Sequence, residues 1–178
     1  MKRLTVLAGL MLCAGGIAVL GAQRIFVNPT PEAHLKRLFP AATAFSPLGG
    51  DPLHFKAYTA AGANRAAPIG FAFWTTDLVP HEHGYHGAIH ILVGMDMRGI
   101  LTGVVVDYNS EPYGYFSVEP PEFGAQFKGK SVRDPFRLGM DIDAVSRATI
   151  SIASAARAIR ESSRMVARQF LTPQAVKP

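Results

Sequence analysis

The residues best suited to chemistry lie in the segment from Asp143 to Ser151, DAVSRATIS. Thr149 of this segment stands where a helical pattern begins, because apolar residues then recur at spacings of three, four and seven: Ile152, Ala156, Ile159, Val166 and Phe170. Polar residues between them predict an amphipathic helix of about five turns. The first turn of such a helix has unpaired N–H groups and a positive dipole end, which together can hold a phosphate. The simpler interpretation is a surface helix with Ser146 as N-cap and Thr149 as an ordinary first-turn residue.

A second candidate is the loop from Ser110 to Tyr115, SEPYGY. Pro112 and Gly114 shape its backbone, while Tyr113 and Tyr115 offer flat faces to an aromatic ring. The alternative interpretation is a surface loop that happens to carry tyrosines. Trp74 is expected to be a core residue rather than a platform for a cofactor.

Four histidines within ten residues form a third candidate: His81, His83, His86 and His90. Imidazoles two residues apart on an extended segment point to one side, so His81 and His83 can share Zn²⁺ or Cu²⁺. Against this, short histidine clusters often have no bound metal. We therefore expect no dedicated metal site here, although a histidine that titrates near neutral pH is an alternative role.

The segment DAVSRATIS resembles the flavinylation motif of the FMN-binding domain family, roughly D-x-x-[ST]-G-A-T-x-[ST]. Residues 84–115 resemble the family's two core strands and the glutamate-proline loop after them, and residues 123–130 resemble the short helix and Gly-Lys turn before the motif. Residues 69–80, IGFAFWTTDLVP, are similar to the form found at the N-terminus of the nitrous-oxide-reductase regulator family. The resemblance covers about residues 31–170. It departs from the family at Arg147, where a glycine is usual and would ease the turn.

The resemblance implies that FMN is joined to Thr149 through a phosphoester bond. It also implies a flavin transferase that takes FAD and leaves its FMN half on the threonine. The remaining cofactor-binding residues are expected on both sides of Thr149 and in the glutamate-proline loop: Ser146, Ala148, Ile150, Ser151, Glu111, Pro112, Tyr113 and Gly114.

The order of the elements that must position these residues, four strands followed by a helix, predicts an α+β domain. Such a domain has an antiparallel β-sheet with flanking helices. Strands are expected at residues 54–59, 69–75, 85–95 and 100–108, the last two as a hairpin that turns at residues 97–99. Short helices are expected after Thr30, which would be the N-cap with Pro31 as the first helical residue, and at residues 121–127. Residues 109–121 are expected to be a loop, and the final helix to end near Phe170.

The N-terminus predicts export. Lys2 and Arg3 precede an apolar run from Leu4 to Gly21, which is long for a signal peptide and near the minimum for a membrane span. Basic residues before such a run predict a cytoplasmic N-terminus and an extracytoplasmic domain. We divide the chain into a signal peptide or N-terminal hydrophobic anchor helix (1–22), a linker (23–30), an FMN-binding domain (31–170) and a tail (171–178).

Composition excludes several functions. Cys13, the single cysteine, lies in the apolar run, so the exported part has no disulfide, thiolate nucleophile or iron–sulfur ligands. The formal charge of +5 is spread along the chain rather than clustered, which argues against nucleic-acid binding. The chain has no G-x-S-x-G, phosphate-binding loop or nucleotide-binding glycine motif, and it does not resemble a self-sufficient enzyme.

We therefore expect a membrane-anchored or periplasmic flavoprotein that transfers electrons. In the regulator family, membrane helices and iron–sulfur cysteines follow the flavin domain. Neither is seen in this sequence, so a redox partner protein at the membrane is expected. Two alternatives stay open. One is an exported metal-binding protein that uses residues 81–90, and the other is an unmodified interaction or regulatory module with the same fold.

Overall fold

The computed structural model describes residues 31–59 and 67–173. Five helices are found there: α1 (Glu32–Leu38), α2 (Thr75–Leu78), α3 (Gly114–Ser117), α4 (Pro121–Ala125) and α5 (Thr149–Phe170). Five strands accompany them: β1 (Ala44–Phe45), β2 (Phe55–Tyr58), β3 (Gly70–Trp74), β4 (His90–Asp96) and β5 (Leu101–Tyr108). Within these two ranges no helix has both the length and the apolar character that crossing a membrane requires.

The strands form one antiparallel sheet in the order β1-β2-β3-β4-β5, so each strand pairs with its neighbour in the chain. The hairpin between β4 and β5 turns at Gly99, whose φ of 77° is a left-handed conformation that glycine adopts without strain. Asp96 closes this turn, since its carboxylate accepts hydrogen bonds from the backbone N–H groups of Arg98 and Ile100, both at 2.9 Å.

Both faces of the sheet are covered. Alternating residues of β3 and β4, such as Phe73 and Val93, face α5 and join its buried Ile152 and Ile159 in the larger core. The other face packs against α1 through a smaller core whose members are Leu35, Leu38, Phe39, Ala42, Phe55, Ala57, Ala72, Trp74, Leu92 and Val105. The central strands β3 and β4 are therefore buried on both faces of the sheet, and α5 packs along its length against one of these faces.

The predicted α+β class and antiparallel sheet are confirmed. The N-terminal hydrophobic helix and Thr30 lie outside the described residues. Helix α1 begins at Glu32, with Pro31 at the N-cap position rather than as the first helical residue. Strand β1 was not predicted, and the second predicted strand, expected at residues 69–75, ends at Trp74 because Thr75 begins α2.

The largest correction concerns the strand expected from Tyr85, which begins only at His90. Residues 84–87 form a turn closed by a 2.7 Å hydrogen bond from the Gly84 N–H to the Gly87 carbonyl. The next two backbone N–H groups, of Tyr85 and His86, donate to a side chain and not to a neighbouring strand. This segment is thereby folded away from the sheet. The loop predicted at residues 109–121 likewise contains a helical turn, α3.

Candidate functional site

Helix α5 begins at Thr149, as the sequence pattern predicts, but its N-cap is Ala148 and no side chain caps it. The prediction of Ser146 as N-cap is wrong. The chain passes through Arg147 with φ of 71°, a left-handed conformation that ends any helical path between Ser146 and the helix. The side chains of Thr149 and Ile150 are exposed. The N–H groups of this first turn have no acceptor within the helix, because no helical carbonyl group comes before them.

A buried carboxylate lies beside this helix start. Glu111 is 8% exposed and accepts hydrogen bonds from the backbone N–H of Tyr85 at 2.9 Å and of His86 at 2.8 Å. It also accepts a hydrogen bond from the hydroxyl of the buried Ser151. One side chain thus joins the turn before β4, the loop after β5 and the first turn of α5.

The surroundings of Glu111 keep it in place. The Glu111 N–H donates to Asn109 Oδ1 at 3.0 Å, which orients the loop. Gly84 lies against the carboxylate, and a Cβ at this position would be 2.5 Å from Glu111 Oε1. A side chain at residue 84 therefore cannot be accommodated unless the carboxylate moves.

These three segments enclose a cavity of about 450 Å³. This volume is within the range of about 300–1,000 Å³ that small-molecule sites occupy. The cavity is lined by Tyr85, Pro112, Tyr113, Arg147, Ala148, Thr149, Ile150 and Ser151. Thr149 and the other residues of the first turn of α5 are therefore on the wall of a ligand-sized space.

The structure brings together most of the residues that the sequence analysis assigned to a cofactor. Pro112, Tyr113, Ala148, Thr149, Ile150 and Ser151 line the cavity. Glu111 lies behind the wall as its support, whereas Ser146 and Gly114 are not on the lining. Tyr115 is also absent from the lining, and its ring packs edge-on against Phe116 at 4.8 Å.

Sequence reasoning missed two lining residues, Tyr85 and Arg147. Tyr85 was assigned to a strand, although Gly84 and Gly87 on either side of it are residues typical of a turn. Arg147 was treated only as a departure from the motif. Its position two residues before Thr149 was the signal that its side chain can reach the same ligand.

The histidines do not form one cluster. His90 is buried and stacks on Trp74 with ring centroids 4.1 Å apart, on the sheet face that carries α1. Thr76 Oγ1 lies 2.6 Å from His90 Nδ1, and Asp107 Oδ2 lies 4.0 Å from His90 Nε2. Burial lowers the pKa of His90, although the charges of Asp107 and Asp77 act in the opposite direction. The prediction of Trp74 as a core residue is confirmed.

The structure does not bring His81 and His83 together in the way that the alternative of a shared metal would need. Among the described residues, the groups close enough to share an ion are His81, Glu82 and Glu161. Glu82 is already held by Arg157, whose Nη2 lies 3.0 Å from Glu82 Oε2. Burial raises the pKa of Glu82, but the hydrogen bond and charge of Arg157 outweigh it, and the pKa lies below its ordinary value. An arginine in this place occupies the oxygens that a metal would need.

Residues 84–163 match the sequence model of the FMN-binding domain. The matched segment contains the turn at Tyr85, the Glu111 loop and the start of α5, which are the three walls of the cavity. The chain carries an FMN-binding domain.

This FMN-binding domain makes the chain a flavin-binding protein, with FMN as its cofactor. The cavity fits such a cofactor, because it combines tyrosine rings with helix N–H groups suited to a phosphate. The resemblance of residues 69–80 to the nitrous-oxide-reductase regulator form lies outside the matched segment. No protein of curated function matches the chain.

Proposed function

We propose that the protein is an exported flavoprotein that carries FMN phosphoester-linked to Thr149 and transfers electrons outside the cytoplasm. One observation supports this most strongly. Thr149 is an exposed hydroxyl at the first position of α5, and it lines a ligand-sized cavity inside the FMN-binding domain. A threonine that served only the helix would have no reason to face this space.

The start of α5 suits a phosphate ester. Its free N–H groups and the positive end of its dipole stabilise a negative charge without a dedicated side chain. A phosphate attached to Thr149 Oγ1 stays within this first turn. The helix itself is held against the sheet by buried residues such as Ile152 and Ile159, so the phosphate site rests on a rigid support.

The walls of the cavity suit a flavin ring. Tyr113 and Tyr85 are 41% and 68% exposed, which leaves ring surface available to a bound aromatic group. Ile150, 57% exposed, adds an apolar side chain to this wall. FMN supplies reversible one- and two-electron chemistry when bound. The side chains around it bind and orient the ring and shield it from water.

Attachment requires a separate catalyst. The Thr149 hydroxyl is a weak nucleophile, and in residues 31–59 and 67–173 no carboxylate or histidine is hydrogen-bonded to it. We infer a flavin transferase that uses FAD. The bond from Thr149 Oγ1 to the FMN phosphorus forms, the bond between the two phosphates of FAD breaks, AMP leaves, and the transferase accepts the hydroxyl proton.

Electron transfer is proposed rather than catalysis because, among the described residues around the cavity, no hydroxyl is hydrogen-bonded to a base that is free for substrate chemistry. Glu111, the carboxylate behind the cavity wall, is occupied by three hydrogen-bond donors. The redox partner is proposed to be another protein near the membrane. Export is proposed from the apolar run between Leu4 and Gly21 that follows Lys2 and Arg3.

Substitution of Thr149 tests the attachment. With the transferase co-expressed, wild-type protein should give a fluorescent flavin band on a denaturing gel, Thr149→Ser a weaker band, and Thr149→Ala none. Thr172→Ala removes the same hydroxyl from an exposed position beyond α5 and should keep the band. Flavin that stays on the Thr149→Ala protein through denaturation would refute the assignment.

A fusion experiment tests the location. Alkaline phosphatase is active only outside the cytoplasm, so a fusion after Pro178 should be active and a fusion after Lys2 inactive. The reverse pattern would contradict export while leaving the attachment to Thr149 untouched.

A further inference from the structure

Among the described residues that line the cavity, Arg147 is the one cation, and it precedes Thr149 by two residues. Its side chain is exposed, and within residues 31–59 and 67–173 no hydrogen bond or ion pair holds its guanidinium. A free arginine on a ligand-sized cavity is available to a ligand.

The arginines of α5 provide a comparison. Arg157 is paired with Glu82, and Arg164 donates to the carbonyl groups of Val132 and Asp134, both at 2.9 Å. Arg160 also has a partner, since Nη1 lies 3.3 Å from the Pro135 carbonyl. These three of the four α5 arginines stabilise the fold through hydrogen bonds or ion pairs, whereas Arg147, like Arg168 at the far end of the helix, has neither among the described residues.

The backbone gives a second reason to look for a ligand. Arg147 has φ of 71°, a conformation that costs a residue with a Cβ about 1–2 kcal/mol and costs glycine nothing comparable. Residues held in such a conformation cluster at ligand-binding and active sites. The fold alone would be served better by glycine at this position.

We propose that Arg147 binds the phosphate of FMN, together with the N–H groups at the start of α5. This rests on the proposed function to the extent that the cavity holds FMN, but it does not depend on the covalent bond. Guanidinium presents a planar set of N–H donors that matches phosphate oxygens. Arg147 would select flavin that carries a phosphate over flavin that does not.

The test compares FMN with riboflavin, which has the same ring and no phosphate. Full-length protein made without a transferase is titrated with each flavin, and the dissociation constant is measured by flavin fluorescence. Arg147→Asn removes the charge but keeps a residue that tolerates a left-handed backbone, and Arg147→Lys keeps the charge without the planar donors. Arg168→Asn makes the same charge change at the exposed far end of α5.

We expect Arg147→Asn to weaken FMN binding about fivefold, the effect of an exposed charge contact, and to leave riboflavin binding unchanged. Arg147→Lys should fall between wild type and Arg147→Asn, and Arg168→Asn should bind both flavins as the wild type does. Raised salt should reduce the preference for FMN in the wild type more than in Arg147→Asn.

Equal loss of FMN and riboflavin in Arg147→Asn, or no loss of either, would overturn the proposal. Wild-type protein that binds neither flavin would overturn it together with the assignment of the cavity. Protein that binds FMN in an Arg147-dependent manner but is never fluorescent on a denaturing gel would keep this proposal and refute covalent attachment alone.

Discussion

Replacing Glu111 by glutamine should weaken the hydrogen bonds that join the three walls of the cavity, without changing the volume of the side chain. The carboxylate accepts three hydrogen bonds, from the N–H groups of Tyr85 and His86 and from the Ser151 hydroxyl. A glutamine amide offers one oxygen and one NH₂ group, so at least one of the three donors would face another donor. The variant keeps the side-chain volume and isolates the loss of the acceptor.

The magnitude follows from the contacts. Hydrogen bonds to a charged group contribute about 1.5–3 kcal/mol, and a buried donor left without a partner costs about 1–3 kcal/mol. We expect Glu111→Gln to lower the free energy of unfolding by about 2 kcal/mol. With an m-value of about 2 kcal/mol/M in urea, the unfolding midpoint should fall by about 1 M.

Urea denaturation followed by circular dichroism measures this midpoint. The matched control is Glu119→Gln, because Glu119 is exposed and its recorded side-chain partner is the amide of Asn109, with Oε1 at 3.0 Å from Nδ2. The control should change the free energy of unfolding by about 0.5 kcal/mol or less. A midpoint for Glu111→Gln that matches the control would refute the role of Glu111 as the support of the site.

Gly84→Ala tests the same carboxylate from the other side. The new methyl group would lie 2.5 Å from Glu111 Oε1 and would displace it from its donors. If both substitutions act through this carboxylate, the double variant should lose clearly less than the sum of the two single losses. Additive losses would mean that Gly84 is needed for a reason unrelated to Glu111.

Two further predictions concern His90 and Arg147. Burial lowers the pKa of His90 below 6.5 in the folded protein, so as the pH falls the unfolded protein binds a proton at this histidine before the folded protein does. The stability that the neutral His90 contributes is therefore present above about pH 6.5. It is lost as the pH falls from there through the folded-state pKa. Unfolding free energies measured between pH 7.5 and 5.5 should decline less in His90→Gln than in the wild type, and equal declines would contradict this. Arg147→Gly should raise the free energy of unfolding by about 0.5–1 kcal/mol, the relief of left-handed strain less the entropy cost of glycine. A less stable Arg147→Gly protein, again judged by urea denaturation, would show that this backbone is not strained.

Local pattern was enough to predict much of the molecule. The 3.6-residue period placed the start of the long helix at Thr149, and alternation of apolar residues found four of the five strands within a few residues. These signals are strong because each residue's burial is set by the face of the element that carries it. The motif around Thr149 predicted the FMN-binding domain, which the match of residues 84–163 confirms.

Where the local sequence pattern gave a wrong prediction, the cause was a contact with a residue far away in the chain. Tyr85 and His86 have the composition of a strand, but Glu111, 26 and 25 residues further along the chain, takes their N–H groups. Ser151 is bonded to the same carboxylate across 40 residues of sequence. Hydrogen bonds of this kind leave no period in the sequence. Gly84 and Gly87 could have indicated a turn at Tyr85, but nothing in the sequence indicated that Glu111 would hold this turn beside the cavity.

The histidines show the same difference between local sequence pattern and long-range contacts. Four of them close together in sequence suggested a shared ligand, yet the sheet buries His90 against Trp74 while Glu82 is paired with Arg157, 75 residues away. The sequence alone determined four of the strands and the long helix, that a threonine begins this helix, and that this segment resembles a flavin attachment site. Only the tertiary structure decided which side chains surround that hydroxyl, because packing the turn at Tyr85, the Glu111 loop and α5 against one another depends on contacts between residues far apart in the chain.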